Sequence, residues 1–261
     1  MTNYSSFFTK NLVNCLKSFI PNYTSKRIDF KSKSKNKFDP VTAFDIKIEK
    51  KLYNLILNKY PNSNFIGEET NNRDKKSKNF LTWVVDPIDG TKNFLIGSPV
   101  WSNLVGLCFG RKPLFGLAFF PMLKKYYFSD SKKTYLFKNF KNKSTLKSSR
   151  KTDLKNSIIV TNTINTIKKK KVLNFFLKHK GLFKISNLDA LNYCLLAEGK
   201  VDVIVESNVK KVDIIPLIPI IENSGGKISN WRGESDISKG DILVSSNGIL
   251  HTKMISKLKK I

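Results

Sequence analysis

Three observations predict a layered α/β fold, α+β in the sense that several helices and sheets pack face to face. Helix-period and strand-period segments alternate along the chain, strand-like runs occur both early and late, and no linker or internal repeat interrupts the 261 residues. More than one sheet follows from that distribution. The whole span 1–261 reads as a single domain, with two closely packed lobes at about 1–150 and about 151–261.

Phe7, Phe8, Leu12, Cys15, Leu16 and Phe19 recur at helical spacing over residues 4–20, and Pro21 stops the run. The lysine- and serine-rich stretch 26–37 reads as a mobile hairpin or loop. After Pro40, the apolar positions Phe44, Ile48, Leu52, Leu55 and Ile56 predict a second amphipathic helix to about Tyr60. Pro61-Asn62-Ser63 is a turn, Phe65-Ile66 a short strand and 70–80 a polar loop. Trp83-Val84-Val85 is a buried strand expected to end at Asp86-Pro87, since proline cannot continue a ladder. Strands are expected at 103–109, 114–120 and 125–128, then a ragged polar stretch over 129–156. Later come a strand at 158–160, a lysine-rich helix at 165–178 and an apolar helix at 188–198. A strand at 201–205, a buried helix at 214–224 and a strand at 242–244 complete the reading.

Composition excludes several classes. With 40% apolar and 26% charged residues the chain is of ordinary soluble type, and Ile214–Ile221 is far too short to span a bilayer, so no membrane partner is expected. The N-terminus carries no secretory pattern, and the three cysteines (Cys15, Cys108, Cys194) read as reduced core thiols, which suits a cytoplasmic setting. The net charge of +27 raises the question of nucleic acid, but only five of the cations are arginine. Lysine spread over solvated faces argues against a phosphate-reading surface, which relies on arginine's planar fork.

Acidic residues are scarce, 20 in all, yet Glu68, Glu69, Asp86 and Asp89 fall within 22 positions, each pair at the end of an apolar strand. Gathered together they would repel unless divalent cations neutralised them, and oxygen-only ligands suit magnesium. Spacing alone leaves solvated turn ends equally open. The string Asp86-Pro87-Ile88-Asp89-Gly90-Thr91 favours the cation site: proline fixes the chain between two aspartates, Gly90 lets the backbone approach a ligand, and the amides of Gly90 and Thr91 can meet phosphate if a helix starts there.

Residues 83–94, Trp-Val-Val-Asp-Pro-Ile-Asp-Gly-Thr-Lys-Asn-Phe, resemble the signature of inositol monophosphatase-like phosphatases. The resemblance extends in the family's order to Asp39-Pro40-Val41-Thr42-Ala43-Phe44-Asp45, Phe65-Ile66-Gly67-Glu68-Glu69, Ala197 to Asp202, Val212-Asp213-Ile214 and Ser224-Gly225-Gly226. It implies alternating α-β-α-β-α layers, a metal and phosphate lobe followed by a substrate lobe, a small phosphate ester as substrate, a homodimer and two or three Mg²⁺ ions. Glu68, Asp86 and the Ile88 carbonyl would hold the first ion, Asp86, Asp89 and Asp213 the second, and Glu68 would reach a third. Thr91, assisted by Asp39, would orient the attacking water, Gly90 and Thr91 amides would grip phosphate, and Glu206 would contact the alcohol.

The sequence departs from that pattern in three places. Val212 stands where tryptophan is usual, Lys184 where arginine is common, and Ser186-Asn187-Leu188-Asp189 replaces a stretch of small residues. The last departure touches the substrate pocket and points away from plain inositol phosphate. Leu217 to Glu222, Asn230-Trp231-Arg232-Gly233, and Asp189 ahead of Tyr193-Cys194 are more similar to the histidinol-phosphatase branch. The expected activity is therefore hydrolysis of histidinol phosphate in histidine biosynthesis. Inositol-1-phosphate and 3'-phosphoadenosine 5'-phosphate are the alternative esters, and an RNA- or transcription-machinery-binding protein on the same fold is the alternative class. Asp189 is assigned to the substrate, with helix capping as the competing role.

Overall fold

The computed structural model describes residues 2–23, 29–33, 40–70, 80–163 and 170–260. The first helix comes in three pieces, α1 (Thr2–Ser6), a π-helical stretch Phe7–Leu12 and α2 (Val13–Lys17). Phe7, Phe8, Leu12, Val13 and Leu16 are all buried along it. Strand β1 (Phe30–Ser32) pairs antiparallel with β2 (Pro40–Thr42), within and beside the stretch expected to be a hairpin or loop. Asp39 lies outside the described residues. Helix α3 (Ala43–Lys59) starts on a capping box: the Thr42 hydroxyl accepts the amides of Phe44 and Asp45, and the Asp45 carboxylate accepts the Thr42 amide at 2.7 Å.

Strand β3 (Asn64–Gly67) runs parallel to β4 (Leu81–Asp89), and helix α4 (Thr91–Leu95) follows directly. An antiparallel meander then adds β5 (Ser102–Phe109), β6 (Lys112–Phe120), β7 (Lys125–Ser129), β8 (Thr134–Lys138) and β9 (Asn142–Thr145), so that one seven-stranded sheet is ordered β3 to β9. Two sequence expectations are corrected here. Strand β4 does not stop at Pro87. Its register with β5 shifts between Asp86, opposite Leu104, and Asp89, opposite Ser102, so proline sits in the bulge and forfeits no ladder bond. The stretch 129–156 is irregular over 146–156 as expected, but before that it contains β8 and β9. Every residue of β9 is exposed, so no apolar alternation announces it; pairing with β8 and the Lys143 ammonium 3.7 Å from the Tyr135 ring centre hold it.

Strand β10 (Ile159–Thr161), helix α5 (Lys170–Leu177), β11 (Phe183–Ile185), helix α6 (Ala190–Ala197) and β12 (Val203–Glu206) come next. The expected helix at 214–224 is broken into α7 (Lys211–Ile214), a 3₁₀ turn Ile215–Leu217 and α8 (Ile218–Glu222), because Pro216 and Pro219 remove amide donors. Then come β13 (Lys227–Ser229), β14 (Ile242–Ser245) and α9 (Gly248–Leu258). The second sheet is ordered β11-β10-β12-β14-β13, parallel across β11-β10-β12 and antiparallel beyond.

Strand periodicity sorts side chains between layers. Phe115, Leu117 and Phe119 of β6 pack with α1, α2 and α3, whereas Ala118 and Phe120 join the core shared with α6 and α8. In the second sheet, Ile204, Ile242 and Val244 face that same shared core, and Val203, Val205 and Leu243 face Val172 and Phe176 of α5 and Leu250 and Met254 of α9. The result is helix, seven-stranded sheet, helix, five-stranded sheet, helix. Both sheets are covered on both faces, which is why their central strands read as near-continuous apolar runs.

Candidate active site

Because β3 and β4 are parallel, their C-terminal ends emerge at the same edge, and the acidic pair that follows β3 is delivered beside the pair that ends β4. The Glu68 amide donates to the Val85 carbonyl at 3.2 Å, one residue before Asp86. Helix α7 packs against β4 and brings Asp213 to the same point. One carboxylate oxygen from each of Glu68, Asp86 and Asp213 lies within 4.8 Å of the others. Asp86 is held by the Ile88 amide at 2.9 Å, and Asp213 accepts the Lys210 amide at 3.2 Å. Asp89 turns toward β5 and α6, accepting the Ser102 hydroxyl at 3.2 Å and the Ala190 amide, the first of α6, at 2.9 Å.

Burial, then the charges of Glu68, Asp213 and Asp89, pushes the Asp86 carboxyl well above the ordinary carboxylate range. Burial, then Asp189 and Asp213, does the same to Asp89. Asp213 is pushed up to about 7 by burial and the Glu68 charge, against the opposing pull of Lys210. Glu68 differs. Burial would raise it, but the Lys210 ammonium at 2.8 Å and the Lys33 ammonium at 3.2 Å outweigh that and hold it low. Lys33 also sits 2.6 Å from Glu69, which burial nevertheless pushes up to about 7. Carboxylates that keep protons on one another are the environment a divalent cation relieves, and a purely oxygen donor set fits a hard ion such as Mg²⁺.

Beside this cluster lies a cavity of about 110 Å³ lined by Asp89, Asp189, Glu206 and Asp213 together with Asn162 and Tyr193. Glu206 ends β12 fully buried; the Tyr193 hydroxyl donates to it at 3.1 Å, and its other oxygen has no hydrogen-bond partner. Burial, with the Asp189 and Asp213 charges adding, pushes Glu206 up to about 8. Asp189 adopts φ +46° and ψ −128°, a conformation rare outside glycine, and its side chain makes no cap bond to α6. Capping, the competing role, falls instead to Asp89. The Asp189 carboxylate is held by the side-chain amides of Asn93, at 2.8 Å, and Asn162.

The inositol monophosphatase family model matches residues 8–261. The chain belongs to the inositol monophosphatase family. It is similar to the bifunctional phosphatase IMPL2, chloroplastic, of Arabidopsis thaliana, 31% identical over 217 residues, covering 82% of this chain but only 61% of that protein's length. Inositol monophosphatase 1 of Bos taurus is 30% identical over 85% of this chain and 82% of its own. A histidinol-phosphatase of Mycobacterium tuberculosis is 26% identical over 88% and 89%. In fold, the chain is similar to an inositol monophosphatase from Zymomonas mobilis, with TM-score 0.81 and 21% identity, covering 98% of each chain. An IMPase of Thermotoga maritima gives TM-score 0.83 at 20% identity, over 100% of this chain and 98% of that one.

For this family member, the structure brings Glu68, Asp86 and Asp213 together and places Asp89, Asp189 and Glu206 around the adjoining cavity. Thr91 donates its hydroxyl to the Ile88 carbonyl at 3.0 Å, pairing two residues that the sequence reading assigned separately. Gly90 takes φ +80° at the start of α4, and a Cβ there would lie 2.6 Å from the Asp189 carboxylate, so only glycine fits. Sequence reasoning missed Lys33, Lys210, Asn162 and Asp45. Asp45 is buried, with Oδ1 unpartnered, and is close enough to feel Lys33 and Glu68. Its place three residues after Thr42 in a capping box was a readable signal, and Lys210 stands three residues before Asp213. Asn162 carried none. Among the described residues, no helix is long and apolar enough to cross a membrane.

Proposed function

We propose that this phosphatase is a Mg²⁺-dependent phosphomonoesterase whose substrate is histidinol phosphate. The observation that carries the substrate reading is the pair of carboxylates, Asp189 and Glu206, lining the same small cavity as Asp89 and Asp213. Histidinol phosphate brings an ammonium and an imidazole close to its scissile ester, and these carboxyl groups would accept hydrogen bonds from them, the arriving cation favouring the ionised form of Glu206.

Glu68, Asp86 and the Ile88 carbonyl are assigned to one ion, Asp86, Asp89 and Asp213 to a second, and Glu68 to a third. Bound there, the ions would supply positive charge to the phosphoryl group and its departing oxygen. The chain's own groups do the positioning. Gly90 and Thr91 open α4, where a helix's first amides lack intrahelical acceptors and suit phosphate oxygens. With its proton given to the Ile88 carbonyl, the Thr91 hydroxyl oxygen is free to accept from the attacking water and orient it. Asp39 is assigned to assist Thr91 in that step; Asp45, buried and close enough to feel Lys33 and Glu68, is a second carboxylate on this side of the site.

Phosphate release from histidinol phosphate, inositol-1-phosphate and 3'-phosphoadenosine 5'-phosphate, measured with Mg²⁺ present, tests the reading. kcat/KM for histidinol phosphate should exceed that for inositol-1-phosphate at least tenfold, about 1.4 kcal/mol of transition-state discrimination. Glu206→Gln and Asp189→Asn should each erode that ratio while sparing a featureless aryl phosphate. Equal rates on both natural esters would retain the family and reject the substrate.

A further inference from the structure

We propose that Glu49 is a positioning residue for the ligand Glu68, an inference that rests on the Mg²⁺ reading above. Glu49 lies on the apolar face of α3, beside Ile48 and Leu52, and is fully buried. Its carboxylate sits directly beneath Gly67: a Cβ on that residue would stand 2.3 Å from the Glu49 Cδ and Oε1. Oε2 accepts the Glu69 amide at 2.8 Å; Oε1 accepts the Thr70 amide at 2.8 Å and the Thr70 hydroxyl. A buried carboxylate persists only where donors satisfy it, and here the donors come from the two residues that follow Glu68.

This arrangement addresses a weakness of the site. Asp86 and Asp89 are carried by a strand that is still paired to β5 at both residues and Asp213 by a helix, but Glu68 stands just past the end of β3, beyond its ladder. The Glu68 amide is tied to Val85 on the near side. On the far side Glu49 supplies the acceptors that a continuing strand would have supplied. The backbone of Glu68 is thereby fixed from both directions, and its side chain is held among Asp86 and Asp213. Glutamine cannot substitute, because its NH₂ would face amide hydrogens where the chain needs an acceptor.

The test is calorimetric titration of the full-length, chelator-stripped protein with MgCl₂, alongside thermal melts. Wild-type protein should bind Mg²⁺; Glu49→Gln should bind it at least tenfold more weakly, and Thr70→Val, which removes one hydroxyl donor to Glu49, about threefold more weakly. A folded Glu49→Gln protein with wild-type Mg²⁺ affinity, even if it melts earlier, would show a structural role only and overturn the proposal. Should Glu49→Gln fail to fold, Thr70→Val decides, and wild-type affinity in that variant overturns it equally. Wild-type protein that takes up no Mg²⁺ would instead overturn the Mg²⁺ reading itself, and this proposal with it.

Discussion

Without metal, the protein should lose stability as pH rises from about 4 to 8, and Asp213→Asn should remove the share of that loss that Asp213 carries, beside Asp86, Asp89, Glu69 and Glu206. The Asp213 carboxyl is moved from an ordinary 3.8 to about 7 by burial and by the Glu68 charge. Below the unfolded value, both states hold the proton and the group contributes nothing. Between the two values the unfolded chain releases its proton first, so folding becomes progressively less favourable as pH rises. Above about 7 the full penalty stands. A shift of roughly three units at 1.36 kcal/mol per unit gives a penalty of about 4 kcal/mol as an upper value. For a chain of this size that corresponds to a rise in Tm of about 10 °C on removing the charge. The assay is thermal unfolding of wild-type and Asp213→Asn protein in EDTA at pH 5, 6, 7 and 8, repeated in excess Mg²⁺. The variant should melt higher than wild type at pH 8 in EDTA, with the gap at pH 5 less than half as large. Mg²⁺ should raise the wild-type Tm far more than that of the variant. A variant that melts at or below wild type in EDTA at pH 8, or a gap independent of pH, would refute the reasoning that these carboxylates repel one another.

Phosphatase activity should require added Mg²⁺ and vanish in EDTA, and Asp89→Asn should lower kcat by orders of magnitude while circular dichroism reports an intact fold, since Asn can still accept the Ala190 amide. Thr91→Ala should lower kcat tenfold or more with a smaller change in KM; a rise in KM alone would make Thr91 a binding residue. His251, buried between the hydroxyls of Ser229 and Ser245, is held down at about 4 by burial and Lys227. The unfolded chain takes up that proton first, so stability should fall as pH drops from about 6.5 toward 4, and His251→Asn should flatten the slope of urea midpoints across that window.

Local chemistry made much of this protein readable from its sequence. The near-continuous apolar runs of β5 and β6 and the 3.6-residue spacing of α3 are set by short-range chemistry, and so are a turn that needs Gly90 and a proline between two aspartates. The same locality explains the errors. Pro87 was read as the end of a strand because a ladder bond was counted as lost, when a bulge between Asp86 and Asp89 had already removed the need for it. Strand β9 exists only through its pairing with β8, and nothing in Asn142–Thr145 states that partner.

By itself, then, the sequence determined which segments could bury an apolar face and which carboxylates stood at strand ends. The tertiary structure alone decided what those groups meet. Glu68 and Lys210, 142 positions apart, share an ion pair only because α7 packs on β4. Asp189 turns from its helix toward Asn93 and Asn162, leaving Asp89 to cap α6 across the site. Glu49, a buried acid among the apolar residues of α3, acquires meaning only under Gly67. Periodicity and backbone sterics act over a few residues, whereas convergence of charge depends on how whole layers stack, and burial then sets what each carboxylate can do.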